Sequence, residues 1–122
     1  MQRWNGWGDP SVTMELPEQG GALLKEVLGD GTAQDDYRRE DFLKKIPKSR
    51  LPEHPLITTD LEARLIHSHG QSLPDWIGLR TGALDRFPDG VAFPSSADEV
   101  RTLVDFAEKQ KVILITYGGG TS

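Results

Sequence analysis

Residues 87–122 read FPDGVAFPSSADEVRTLVDFAEKQKVILITYGGGTS, and the reading of this stretch decides the fold. Val91-Ala92-Phe93 is short, apolar and bracketed by Gly90 and Pro94, which predicts a strand. Ser96 with Glu99 forms a capping-box pattern, so a helix is predicted to start there. Val100, Leu103, Val104 and Ala107 follow at i, i+3, i+4 and i+7, a single face predicted to be buried. Lys109 and Lys111 sit at the helix C-terminus, where the peptide dipoles favour positive charge. Val112 to Ile115 is a continuous apolar run, as expected of a strand covered on both faces. Strand, helix, strand and glycine loop in this order predict an α/β unit with parallel strands and a right-handed crossover.

The loop that closes the stretch is Thr116-Tyr117-Gly118-Gly119-Gly120-Thr121-Ser122. Successive glycine N–H groups after a buried strand can turn inward into an anion-binding concavity, with no Cβ to hold a diphosphate away. A tight, ligand-free turn explains the same glycines equally well. No Gly-Lys-Ser/Thr follows a glycine spacer, which excludes a P-loop. The loop also follows the second strand of its unit, which argues against a Rossmann dinucleotide site.

Upstream, residues 1–85 read as a helical and loop region, and 86–122 as the start of a second domain. Trp4 and Trp7 flank the turn dipeptide Asn5-Gly6 and are expected to pin a loop by packing their rings. Leu23, Leu24, Val27 and Leu28 form an apolar stripe before Gly29, predicting a short helix. Residues 32–55 are dense in charge and interrupted by Pro47, Pro52 and Pro55. They read as a solvated segment with one helical turn through Phe42, Leu43 and Ile46. Thr59 with Glu62 suggests a capped helix ending at Gly70, and Ser72 with Pro74 a second one ending at Gly82. His67 and His69, two residues apart on a helix, point about 200° from one another, so one helical face cannot present both to a metal. With no completing ligand at zinc-like spacing, they read as satisfied or solvent-facing histidines, as does His54.

Composition bounds the function. The chain has 122 residues, a net charge of −5 and no segregated Lys/Arg cluster, which argues against a nucleic-acid partner. It has no cysteine, which removes disulfides, thiolate metal sites and a cysteine nucleophile. No apolar run approaches the ~20 residues a membrane-spanning helix needs, and the N-terminus lacks a signal-peptide core. A soluble, cytoplasmic protein is the expectation.

The proline-bounded strand, the Ser-x-x-Glu-Val helix start and the Gly-Gly-Gly-Thr-Ser loop resemble the opening of the FAD-binding domain of vanillyl-alcohol-oxidase-type (PCMH-type) flavoproteins. With RWNGWG at residues 3–8 and RLIHSHGQSLPDWIGLRTGALDRFPDGVAFP at 64–94, the chain is similar to the alkyldihydroxyacetonephosphate synthase family. The resemblance implies FAD as cofactor, with Thr116, Tyr117, Gly118, Gly119, Gly120, Thr121 and Ser122 along its diphosphate. Thr116 stands where that family commonly has proline. It further implies exchange of the acyl group of acyl-dihydroxyacetone phosphate for a fatty alcohol, a lipid-like substrate, and room for a homodimer. The family's acid–base residues lie beyond its FAD loop, so no residue of this chain is expected to be catalytic. A strand–helix–strand unit with open edges also suggests the N-terminal piece of a longer protein, inactive and poor at holding FAD alone. Two other functions fit the residues: an FAD-linked oxidase or dehydrogenase of a 2-hydroxy acid, and a non-catalytic interaction domain.

Overall fold

The computed structural model describes residues 3–6 and 8–121. Trp7 and Ser122, each assigned a role above, lie outside the described residues. Among the described residues, five helices and one two-stranded sheet follow in the order α1 (Glu18–Leu28), α2 (Arg39–Lys45), β1 (Ile57–Thr58), α3 (Leu61–Ile66), α4 (Leu73–Thr81), β2 (Val91–Ala92) and α5 (Ala97–Gln110).

Helix ends obey local chemistry. Ser72 accepts from the Asp75 N–H while the Asp75 carboxylate accepts from the Ser72 N–H, a complete capping box at α4. Gly82 ends that helix at φ 74°, and a Cβ there would run into the Tyr37 ring. Ser96 caps α5 through the Glu99 N–H, but the Glu99 carboxylate reaches back to Ser95 instead. The cap of α3 is Asp60, which accepts from the Ala63 N–H, one residue later than Thr59. Glu62, freed from that cap, pairs with Arg39 and ties α3 to α2. A carboxylate reaches its helix's N–H groups at least as well as a hydroxyl, so Asp60 displaces Thr59.

The charged segment is no mere linker. Phe42 of α2 is fully buried, and with Ile46, Leu65 and Leu79 it makes the core. Trp4 and Tyr37 meet its ring edge-on, with centroids 6.1 and 4.7 Å away. Charged residues at α2's ends masked this one apolar turn, because composition averages over a window in which two side chains do the packing. Trp4 packs as its size demands.

Apolar periodicity overstated burial. The α1 stripe is exposed, from 48% at Leu24 to 77% at Leu28. In α5 only Leu103 and Ala107 are buried, while Val100 and Val104 are about half exposed. The run Val112–Ile115 forms no ladder among the described residues, and Ile113 and Ile115 stand 88% and 87% exposed. The ladder that does form is antiparallel, pairing Ile57 with Ala92 and Thr58 with Val91. A strand is stabilised by a neighbour on its edge, and no described strand lies beside residues 112–115. The α/β class stands, as helices around a small sheet that correspond to part of an α/β domain.

Several carboxylates titrate low. Asp89 is held below its ordinary 3.8 by hydrogen bonds from the Arg50 guanidinium, Asp75 by the Ser72 hydroxyl, and Glu99 by the Ser95 N–H. A depressed folded pKa contributes stability above the unfolded value and loses it as pH falls through the folded one. The melting temperature is therefore expected to hold near neutral pH and fall below about pH 4. Asp89→Asn should remove part of that slope. A melting temperature at pH 3 equal to that at pH 6 would contradict the assignment.

Candidate functional site

Lys111 leaves α5 in the left-handed region at φ 56°, turning the chain sharply toward residues 112–115. The segment then delivers the glycine loop to the turn between α3 and α4. The Tyr117 ring packs against His67 at a tilt of 54°, centroids 4.4 Å apart, and its hydroxyl lies 3.5 Å from the Ile66 carbonyl. Partial burial pushes the Tyr117 hydroxyl pKa up. At the other end of the loop, the Gln71 N–H donates to the Thr121 carbonyl at 3.5 Å.

Between these two anchors the glycines differ. Gly120 is buried at φ 67°, and a Cβ there would overlap the Tyr117 hydroxyl. The fold itself demands glycine at that position. Gly118 has nothing within 4 Å of where a Cβ would stand, and Gly119 only the Thr121 methyl at 3.9 Å. Neither has positive φ. Among the described residues, no hydrogen bond uses the N–H of Gly118 or Gly119. Two adjacent, exposed residues thus carry unpaired N–H groups and no side chain, the arrangement a diphosphate oxygen can approach. Thr116 and Thr121 are exposed beside them.

The histidines have local partners. His67 Nδ1–H donates to the Ala63 carbonyl at 2.7 Å, and its ring also meets Phe93 edge-on at 5.4 Å. His69 Nδ1–H donates to the Gly70 carbonyl at 2.7 Å, leaving Nε2 buried with no partner among the described residues. The side-chain oxygen of Gln71 is buried and unpartnered in the same way. His54 Nδ1 accepts from the Leu56 N–H, and its ring lies 4.6 Å from that of Phe106. Among the described residues there is no group of three metal-ligating side chains, and no helix is long and apolar enough to cross a membrane. A concavity of about 780 Å³ lined by Lys48, His54, Ile57, Leu61 and Arg64 shares no residue with the glycine loop.

The loop therefore meets HSHGQS (67–72), a neighbour the sequence reading did not assign to it. The signal was present: two histidines and a glutamine around Gly70 are more polar than a bare helix connection requires.

Fold and loop together define a segment of α/β architecture ending in a glycine loop, and comparison with known proteins gives it relatives. No family model matches the chain. Alkyldihydroxyacetonephosphate synthase of Trypanosoma brucei brucei is 26% identical over 153 aligned positions, covering 98% of this chain and 25% of that protein. The synthase of Dictyostelium discoideum is 35% identical over 82 residues, covering 67% of this chain and 13% of its own length. A solved structure of an alkyldihydroxyacetonephosphate synthase superposes with a TM-score of 0.74 at 27% identity, over 99% of this chain and 28% of that one. The chain is similar to alkyldihydroxyacetonephosphate synthases over nearly its whole length. It spans about a quarter or less of the length of the curated synthases it matches.

Proposed function

We propose that the chain supplies the diphosphate-holding loop of an FAD-dependent enzyme of the alkyldihydroxyacetonephosphate synthase kind. Thr116, Tyr117, Gly118, Gly119, Gly120, Thr121 and Ser122 are the proposed contacts, with 1–85 a helical support and 86–122 the start of the FAD-binding domain. The observation that carries this reading is the pair Gly118 and Gly119, which the fold does not need as glycine and which leave two N–H groups open. Names of the relatives support the enzyme class, and the backbone chemistry supports a diphosphate. Bound there, FAD would supply the flavin ring chemistry, while this chain's residues bind and orient its diphosphate. The proposed reaction is exchange of the acyl group of acyl-dihydroxyacetone phosphate for a fatty alcohol, in ether-lipid synthesis.

Titration with FAD of a chain of the relatives' full length that carries this segment, followed by quenching of flavin fluorescence, tests the binding half. Saturable quenching that free riboflavin, which has no diphosphate, does not reproduce is the expected result. Protein that takes up neither would overturn it. For the reaction, assayed in a chain of the relatives' full length that carries this segment, alcohol-for-acid exchange with the flavin absorbance preserved is expected, whereas bleaching by a 2-hydroxy acid would point to an oxidase or dehydrogenase instead.

A further inference from the structure

The proposed function leaves one motif without a task, the turn of Ile66–Gln71 between α3 and α4. Its contacts reach both ends of the glycine loop and skip the middle. The His67 ring meets the Tyr117 ring in a tilted contact, the Ile66 carbonyl faces the Tyr117 hydroxyl, and the Gln71 N–H donates to Thr121. Gly118 and Gly119, lying between the anchored residues, meet nothing from the turn. Phe93, just past β2, meets the same His67 ring edge-on at 5.4 Å.

We infer that this turn is a positioning clasp, in which His67 and the Gln71 amide hold residues 117 and 121 so that the Gly118 and Gly119 N–H groups stay unpaired and open to an anionic ligand. The inference rests on the reading of the loop as a diphosphate cradle. The physical reason is entropic. Three consecutive glycines are the most mobile backbone a chain can carry, and ordering them at the moment of binding opposes affinity. A loop fixed at both ends has already lost part of that freedom, so the ligand loses less. The device needs the anchors to come from outside the loop, and 50 residues separate Tyr117 from His67.

The ring supplies the larger anchor. Aromatic contacts at such spacing correspond to roughly two- to tenfold in an equilibrium. His67→Ala removes the ring contact and the bond to Ala63, whereas His67→Phe keeps a ring of similar size and loses only the bond. Comparing the two isolates the ring from the helix end. The measurements are amide order parameters at residues 117–121 by ¹⁵N relaxation and the affinity for FAD by fluorescence titration. For His67→Ala, order parameters at 118–120 are expected to drop toward the flexible range, below about 0.6. Its FAD affinity should weaken roughly two- to tenfold. His67→Phe should keep both near the parent values.

Unchanged order and affinity in His67→Ala, or equal losses in His67→Phe, would overturn the clasp. If His67→Ala does not fold, Tyr117→Ala removes the same ring contact from the loop side. Because Tyr117 is itself a proposed FAD contact, only the order parameters at 118–120 are read from it, and unchanged order overturns the clasp. A parent protein that fails to bind FAD, yet shows the loss of order in His67→Ala alone, would sink the flavin reading and leave the clasp standing.

Discussion

Alanine at Gly118 or Gly119 leaves the chain as stable as before, or slightly more so, and weakens its FAD binding by at least about tenfold. Stability is spared because both positions stand in open space without positive φ. Gly→Ala at a compatible site restricts the unfolded chain and adds about 0.4–1 kcal/mol, a rise of a few degrees in melting temperature. Binding suffers because a methyl group beside each N–H narrows the space through which a diphosphate oxygen reaches it. Gly120→Ala provides the contrast. It forces a side chain into the left-handed region, at roughly 1–2 kcal/mol, and into the Tyr117 ring besides. That variant should lose melting temperature and FAD affinity together. Thermal melts and flavin-fluorescence titrations of the three variants separate the cases. Parent-like affinity in both Gly118→Ala and Gly119→Ala would make the loop a simple connection and remove the main support for a cofactor site.

Phe42→Ala is expected to cost about 3–5 kcal/mol, the usual penalty for emptying a buried aromatic site. Domains of this size hold only about 5–15 kcal/mol in total, so the variant should melt far lower or lose its cooperative transition. Phe42 is fully buried at the centre of the cluster and loses contact with Trp4 and Tyr37 at once when truncated. The Lys45 ammonium, 5.5 Å from the same ring, loses a cation–π partner as well. Circular dichroism during heating would register the change. Melting within a degree or two of the parent would mean that residues 32–55 are the solvated linker their composition suggests.

These two predictions draw on different kinds of information. Gly118–Gly120 were legible in the sequence as a loop needing bare backbone, but nothing in three identical letters says which glycine serves the fold and which a ligand. The structure separates them through φ and through the space around each Cβ. Phe42 was legible only as one turn of helix inside a charged run. Its central place in the core depends on Leu65, Leu79 and Trp4, all distant in sequence.

The caps of α4 and α5 and the glycine ends of α1 and α4 are properties of the sequence by itself, since each rests on contacts within about five residues. Periodicity likewise specified which side chains share a helix face. Only the tertiary structure decided which of those faces is covered, because burial requires an opposing surface that periodicity does not contain. It alone also brought Gln71 and His67 to Thr121 and Tyr117 across 50 residues of chain, a meeting set by the packing of α2, α3 and α4 around Phe42 rather than by any pattern within the two segments.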